Sequence, residues 1–130
     1  MLKRVYQTPM TEKRNLDQQD GNVAGDLATE EMVRELVNRI VERVHPLRII
    51  LFGSVARGQP SAESDVDLLV VMPEGAQKRH TAQLLYRHLR GLTVAVDLVV
   101  TTQGDLEQHK TNPGMIYQAI LQEGKELYAA

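Results

Sequence analysis

Apolar residues recur along this chain with two distinct periods, and the switches between them mark out its elements. Val33, Leu36, Val37, Ile40, Val41 and Val44 fall three or four apart, which places them on one face of a helix that must end before Pro46. Thr29 is placed to cap that helix, with Glu30 and Glu31 suited to the positive end of its dipole. Arg48 to Phe52 is a short apolar run held between Pro46 and Gly53, and Asp65 to Met72 is a second, closed by Pro73-Glu74-Gly75; both predict buried strands. A short helix is expected directly after Gly53-Ser54. Ala82, Leu85 and Leu89 predict a longer helix over Lys78 to Arg90, with Gly91 as its stop. Thr93 to Val100 reads as a third strand and Thr101 to Thr111 as a loop with a helical turn. Asn112-Pro113 then opens a last helix carrying Met115, Ile116, Ala119 and Ile120 on one face and ending at Gly124, after which Leu127-Tyr128 would add a short edge strand.

This alternation of helices and strands describes a single α/β unit, and 130 residues give it room for one core. Residues 1–28 are polar and show no sustained period, so they are expected to form a flexible extension ahead of a domain at residues 29–130. No apolar run approaches the ~20 residues that span a bilayer, and the first residues lack the apolar centre of a signal peptide; a cytoplasmic location is expected. The net charge of −2 gives no electrostatic footprint for duplex nucleic acid or an anionic membrane. With no cysteine, thiolate chemistry and Cys-ligated zinc are excluded, so any metal must rest on oxygen ligands.

The stretch LFGSVARGQPSAESDVDLLVV, Leu51 to Val71, concentrates the candidate chemistry. Successive strand residues point to opposite faces, so Asp65 and Asp67 leave the same face while Val66 and Leu68 turn to the core. Two neighbouring carboxylates repel and raise each other's pKa, and a hard divalent cation is the simplest compensation. Asp97, the lone polar residue of TVAVDLVV, is a third carboxylate in a valine-rich strand, where an unpaired charge is costly. If that strand lies beside the first with Asp97 on the same face, three carboxylates can hold two Mg²⁺ ions about 3.5–4 Å apart, the arrangement that serves in-line displacement at phosphorus.

Gly53-Ser54 lies where a strand ends before a short helix. There backbone N–H groups favour phosphate, glycine admits its close approach, and the Ser54 hydroxyl can donate to it. Gly-Ser is equally the signature of an ordinary turn. Arg57 either meets phosphate or pairs with Glu63 or one of the aspartates. His80 and His88 read as surface residues of their helix, and Tyr86, Tyr117 and Tyr128 as packing residues with wet hydroxyls.

Taken together, Gly53-Ser54, ten residues, then Asp65-Val66-Asp67 resembles the GSx10DxD signature of the DNA polymerase β-like nucleotidyltransferase superfamily. GSVARGQPSAESDVDLLV is similar to its minimal MNT-type branch, and the likeness runs from the first helix through Asp97 to EGKELY at residues 123–128. The resemblance implies a small mixed sheet with flanking helices and a transfer of a nucleotide from an NTP, usually ATP, with loss of pyrophosphate. By position, Asp65 and Asp67 would bind both Mg²⁺ ions, Asp97 would bind one and help activate the acceptor hydroxyl, and Gly53 and Ser54 would hold the triphosphate, with Arg57 nearby. Stand-alone MNT proteins commonly act as antitoxins that transfer AMP to a tyrosine of a HEPN-domain ribonuclease toxin, which becomes the expected partner and implies assembly with it or with a second copy. Two other readings stand beside that one: transfer to a small-molecule hydroxyl such as that of an aminoglycoside, and neutralisation of the partner by binding alone.

Overall fold

The computed structural model describes residues 21–58, 65–92 and 94–130. The first helix, α1 (Gly21–Val44), buries Val33, Leu36, Val37 and Ile40, the stripe that the spacing predicted. It runs through Thr29, so that residue lies inside the helix and does not cap it. Ala24, Leu27 and Ala28 are good helix formers, and they let α1 continue back through residues 21–28, which were expected in the polar extension. The rest of that extension lies outside the described residues. At the other end His45 adopts the left-handed conformation, φ +51°, and its N–H donates to the Val41 carbonyl at 3.0 Å before Pro46 stops the helix.

Four strands form one mixed sheet in the order β3-β2-β1-β4. Strand β1 (Arg48–Phe52) runs antiparallel to both β2 (Val66–Met72) and β4 (Lys125–Ala129). Strand β3 (Val96–Thr102) lies parallel to β2, reached through the crossover helix α3 (Lys78–His88), while the short helix α2 (Gly53–Ala56) follows β1. Two further helices, α4 (Gln103–His109) and α5 (Ile116–Glu123), complete the fold.

Helices cover both faces of the sheet. On one, Val66, Leu68, Val70 and Met72 of β2 and Ile49 and Leu51 of β1 pack with the buried stripe of α1 and with Leu85 and Leu89 beneath α3. On the other, Ile50, Leu69 and Val71 pack with Leu106 of α4 and Tyr117 and Ile120 of α5. Burial on both sides is why β2 reads as an almost unbroken apolar run. At the opposite edge β4 carries Lys125 and Glu126, and Glu126 accepts from Arg48 Nε at 2.8 Å, so charge blunts the exposed edge. Gly124 makes the α5–β4 junction possible: a Cβ there would come within 2.6 Å of both the Ile120 carbonyl and Ile50 Cγ2.

Three further expectations shift in the fold. Strand β3 starts later and ends later than Thr93–Val100 because its limits follow its partner, with Val66 opposite Val96 and Met72 opposite Thr102. Thr102 accepts from the Asp105 N–H at 3.2 Å and so caps α4, making a two-turn helix of what read as a loop with one helical turn. At the last helix, Gly114 N–H donates to Asn112 Oδ1 at 2.9 Å and Met115 N–H to the Asn112 carbonyl at 3.0 Å. That turn delays α5 to Ile116 and rotates its buried face. Tyr117 and Ile120 go inward, while Met115 and Ile116 remain 37% and 48% exposed.

Candidate functional site

The site is built at the ends of β1, β2 and β3. Asp67 stands opposite Phe52 of β1 on one side and opposite Asp97 of β3 on the other. The pleat puts register partners on the same face, so Asp67 and Asp97 are neighbours on the face that α4 and α5 cover further along. Asp65 precedes β2 by one residue and is exposed; Asp67 is half-buried and Asp97 exposed. Val66 and Leu68 turn into the core as expected.

The Asp67 carboxyl is pushed above its ordinary value of 3.8, first by partial burial, then by the Asp97 and Asp65 carboxylates, with Arg57 working weakly in the other direction. Asp97 and Asp65 both act on Asp67 at the ends of two parallel strands. Among the described residues, no three His, Asp or Glu side chains close into a ready cation cage. Asp67 and Asp97 supply oxygen donors on one face, with Asp65 just ahead of β2, and the repulsion felt at Asp67 is the feature that a hard divalent cation would relieve.

Gly53 follows the strand partner of Asp67 and is packed directly on it. Its φ is +82°, and a Cβ added there would run into the Asp67 carboxylate. Glycine is required twice over, for the left-handed backbone and for the close approach. Ser54 lies in the helical turn that starts at this point, which Arg57 N–H closes on the Gly53 carbonyl at 3.1 Å. Gly53-Ser54 is thus a strand-to-helix turn set against an acidic cluster. Arg57 is exposed; its guanidinium lies 3.8 Å from Glu123 at the end of α5, a partner the sequence did not suggest, and its charge is felt at Asp67. Glu63, the other candidate partner, lies outside the described residues.

One residue expected only to pack, with a wet hydroxyl, also reaches the site. Tyr86 of α3 is 42% exposed, yet its hydroxyl accepts from the Leu98 N–H at 2.8 Å and lies 3.5 Å from Asp97 Oδ1. Helical spacing marks Leu85 and Leu89 as core but gives no sign that the residue after Leu85 reaches the edge strand. Tyr117 is buried as a packing residue, and His80 and His88 are surface residues as expected.

A nucleotidyltransferase domain model matches residues 33–126, most of the chain and all of the site. The chain belongs to the nucleotidyltransferase domain family. Its sequence is 31% identical over 101 residues to "Putative protein adenylyltransferase MJ0604" of Methanocaldococcus jannaschii, a match that takes in 76% of this chain and 97% of that protein. Its fold is that of a crystal structure described as a "putative nucleotidyltransferase" from Sulfolobus solfataricus, with a TM-score of 0.59 and 18% identity over 88% of this chain and 93% of the other. A toxin-antitoxin crystal structure with AMP-PNP shares the fold at a TM-score of 0.54 and 22% identity, over 74% of this chain and 73% of that one. The mixed sheet with flanking helices is therefore the polymerase β-like nucleotidyltransferase fold, and the chain acts on a nucleotide substrate. Among the described residues no helix is long and apolar enough to cross a membrane.

Proposed function

We propose that this nucleotidyltransferase moves AMP from ATP to a tyrosine hydroxyl of a HEPN-domain ribonuclease toxin and so acts as its antitoxin. The observation that supports the reading is the register of Asp67 with Asp97, which sets two carboxylates side by side next to the Gly53-Ser54 turn, with the charge of Asp65 also felt at Asp67. The naming of the Methanocaldococcus relative as a protein adenylyltransferase, and the fold shared with a toxin-antitoxin structure, support the choice of acceptor.

Asp65, Asp67 and Asp97 would hold two Mg²⁺ ions, which supply positive charge to the attacked α-phosphate and the departing pyrophosphate. The chain's own groups do the rest. Gly53 lets the triphosphate lie against the backbone, the Ser54 hydroxyl donates to a phosphate oxygen, and Arg57 adds charge at the rim. Asp97, exposed at the edge strand, faces the incoming acceptor and takes its hydroxyl proton. The work is positioning and electrostatic stabilisation, since the phosphoryl group needs little else from the protein.

The test incubates the chain with α-labelled ATP, Mg²⁺ and a purified HEPN-domain protein as the candidate partner, comparing wild type with Asp65→Ala and Asp67→Ala. Label on a tyrosine of the partner, lost in both variants, is the expected result. Neutralisation of the partner without label overturns the catalytic reading in favour of binding alone. Label found only on an added aminoglycoside overturns the protein acceptor.

A further inference from the structure

Tyr86 brings a hydroxyl to the edge of this site. It is carried by the crossover helix α3, and it reaches the edge strand β3, where the Leu98 N–H donates to its oxygen at 2.8 Å. With that N–H approaching one side of the oxygen, the hydroxyl proton is free to turn toward Asp97 Oδ1, 3.5 Å away. A base must lie within hydrogen-bond reach of the proton it removes, and such contacts are often long before substrate binds. Asp67 lies one strand further in, about 4.8 Å across the sheet; the Asp67–Asp97 pair faces the side opposite α3, so the Tyr86 hydroxyl reaches round the edge of β3 and would meet a phosphate held over the pair from its rim.

We propose that Tyr86 is a self-adenylylation site: with ATP and a divalent cation but no protein acceptor, the chain transfers AMP to its own Tyr86 Oη. The proposal rests on the reading of Asp65, Asp67 and Asp97 as the transfer centre. In the step a bond forms between Tyr86 Oη and the α-phosphorus. The bond from that phosphorus to the bridging oxygen of the β-phosphate breaks, its electron pair leaving with pyrophosphate. The hydroxyl proton passes to the Asp97 carboxylate. ATP is the only co-reactant, and a phosphodiester on Tyr86 is the only product besides pyrophosphate.

The other described tyrosines do not fit. Tyr117 is only 8% exposed, in the core between α5 and the sheet, and Tyr128 lies on β4 at the opposite edge from β3. Tyr86 combines reach to Asp97 with 42% exposure, which leaves an attached adenylyl group room in solvent. Once modified, it would stand between Asp97 and any other acceptor, so self-transfer would restrain the enzyme whenever its partner is missing.

The purified chain is incubated with ATP and Mg²⁺, and its intact mass and tryptic peptides are measured. The expected result is a gain of one AMP on the peptide that holds Tyr86, lost in Tyr86→Phe and in Asp67→Asn. A second readout needs no turnover: nitration of Tyr86 by tetranitromethane should slow several-fold when Mg²⁺ and a non-hydrolysable ATP analogue are added together, while the thermal melt of Tyr86→Phe shows that this variant still folds. Wild type that labels an added HEPN-domain protein but never itself overturns self-transfer and leaves the proposed function standing. AMP on a different residue of the chain also overturns it, and no label on either protein overturns both readings.

Discussion

Asp67 and Asp97 face one another as register partners on the parallel strands β2 and β3, and each carries its charge to the same side of the sheet. In the absence of a cation this is an unfavourable pairing, and the raised pKa of Asp67, caused first by burial and then by Asp97 and Asp65, expresses it.

The pH dependence of stability follows from that direction. A carboxyl whose pKa is higher in the folded than in the unfolded chain favours folding at low pH, fully so below its ordinary value of 3.8, and this contribution is lost as pH rises through the folded-state pKa. With cations chelated, Asp67→Asn should therefore melt higher than wild type at pH 7, the gap closing under acid. Mg²⁺ at about 100 times its dissociation constant should add roughly 2.7 kcal/mol to wild type and much less to the variant. Thermal melts with EDTA and with Mg²⁺ at two pH values check both statements.

Gly53→Ala should damage transfer more than stability. The left-handed backbone costs a non-glycine residue about 1–2 kcal/mol, and the new methyl displaces the Asp67 carboxylate as well. Gly58→Ala is the matched control, since Gly58 has φ +74° but open space around its Cα. Denaturant unfolding should show comparable backbone strain in both, whereas AMP-transfer assays should show a large loss of kcat only for Gly53→Ala.

Arg57→Ala is expected to raise the KM for ATP by roughly 10-fold, the worth of one charge-assisted hydrogen bond to phosphate. Its exposed pairing with Glu123 contributes little to folding, so melting should hardly change. Glu123→Gln releases the guanidinium and should lower KM if that pairing competes with phosphate. Steady-state kinetics against ATP concentration separates the two effects.

The face of α5 can be tested by a pair of substitutions. Ile120→Ala removes a side chain that is 2% exposed against the sheet face leading to the site and should cost about 2–5 kcal/mol. Ile116→Ala, at 48% exposure, should stay within about 0.5 kcal/mol. Chemical denaturation of both variants gives the comparison directly; equal losses would mean that the helix packs on the face the apolar spacing first suggested.

What the sequence determined by itself is whatever a residue's own backbone neighbourhood controls. The pleat alone places Asp67 on one face of β2 and Val66 and Leu68 on the other, and the apolar period alone places Val33, Leu36, Val37 and Ile40 on the buried side of α1. The Gly-Ser turn, the carboxylate spacing and the family resemblance share this local origin. Tertiary structure decided the rest: that Asp97 lands opposite Asp67, that Gly53 presses on the Asp67 carboxylate, that Tyr86 reaches Asp97, and that α5 buries Tyr117 and not Met115. Each of these depends on strand register and on how a helix settles against the sheet. Such features are fixed by packing between segments distant in sequence, and no repeat within one segment encodes them.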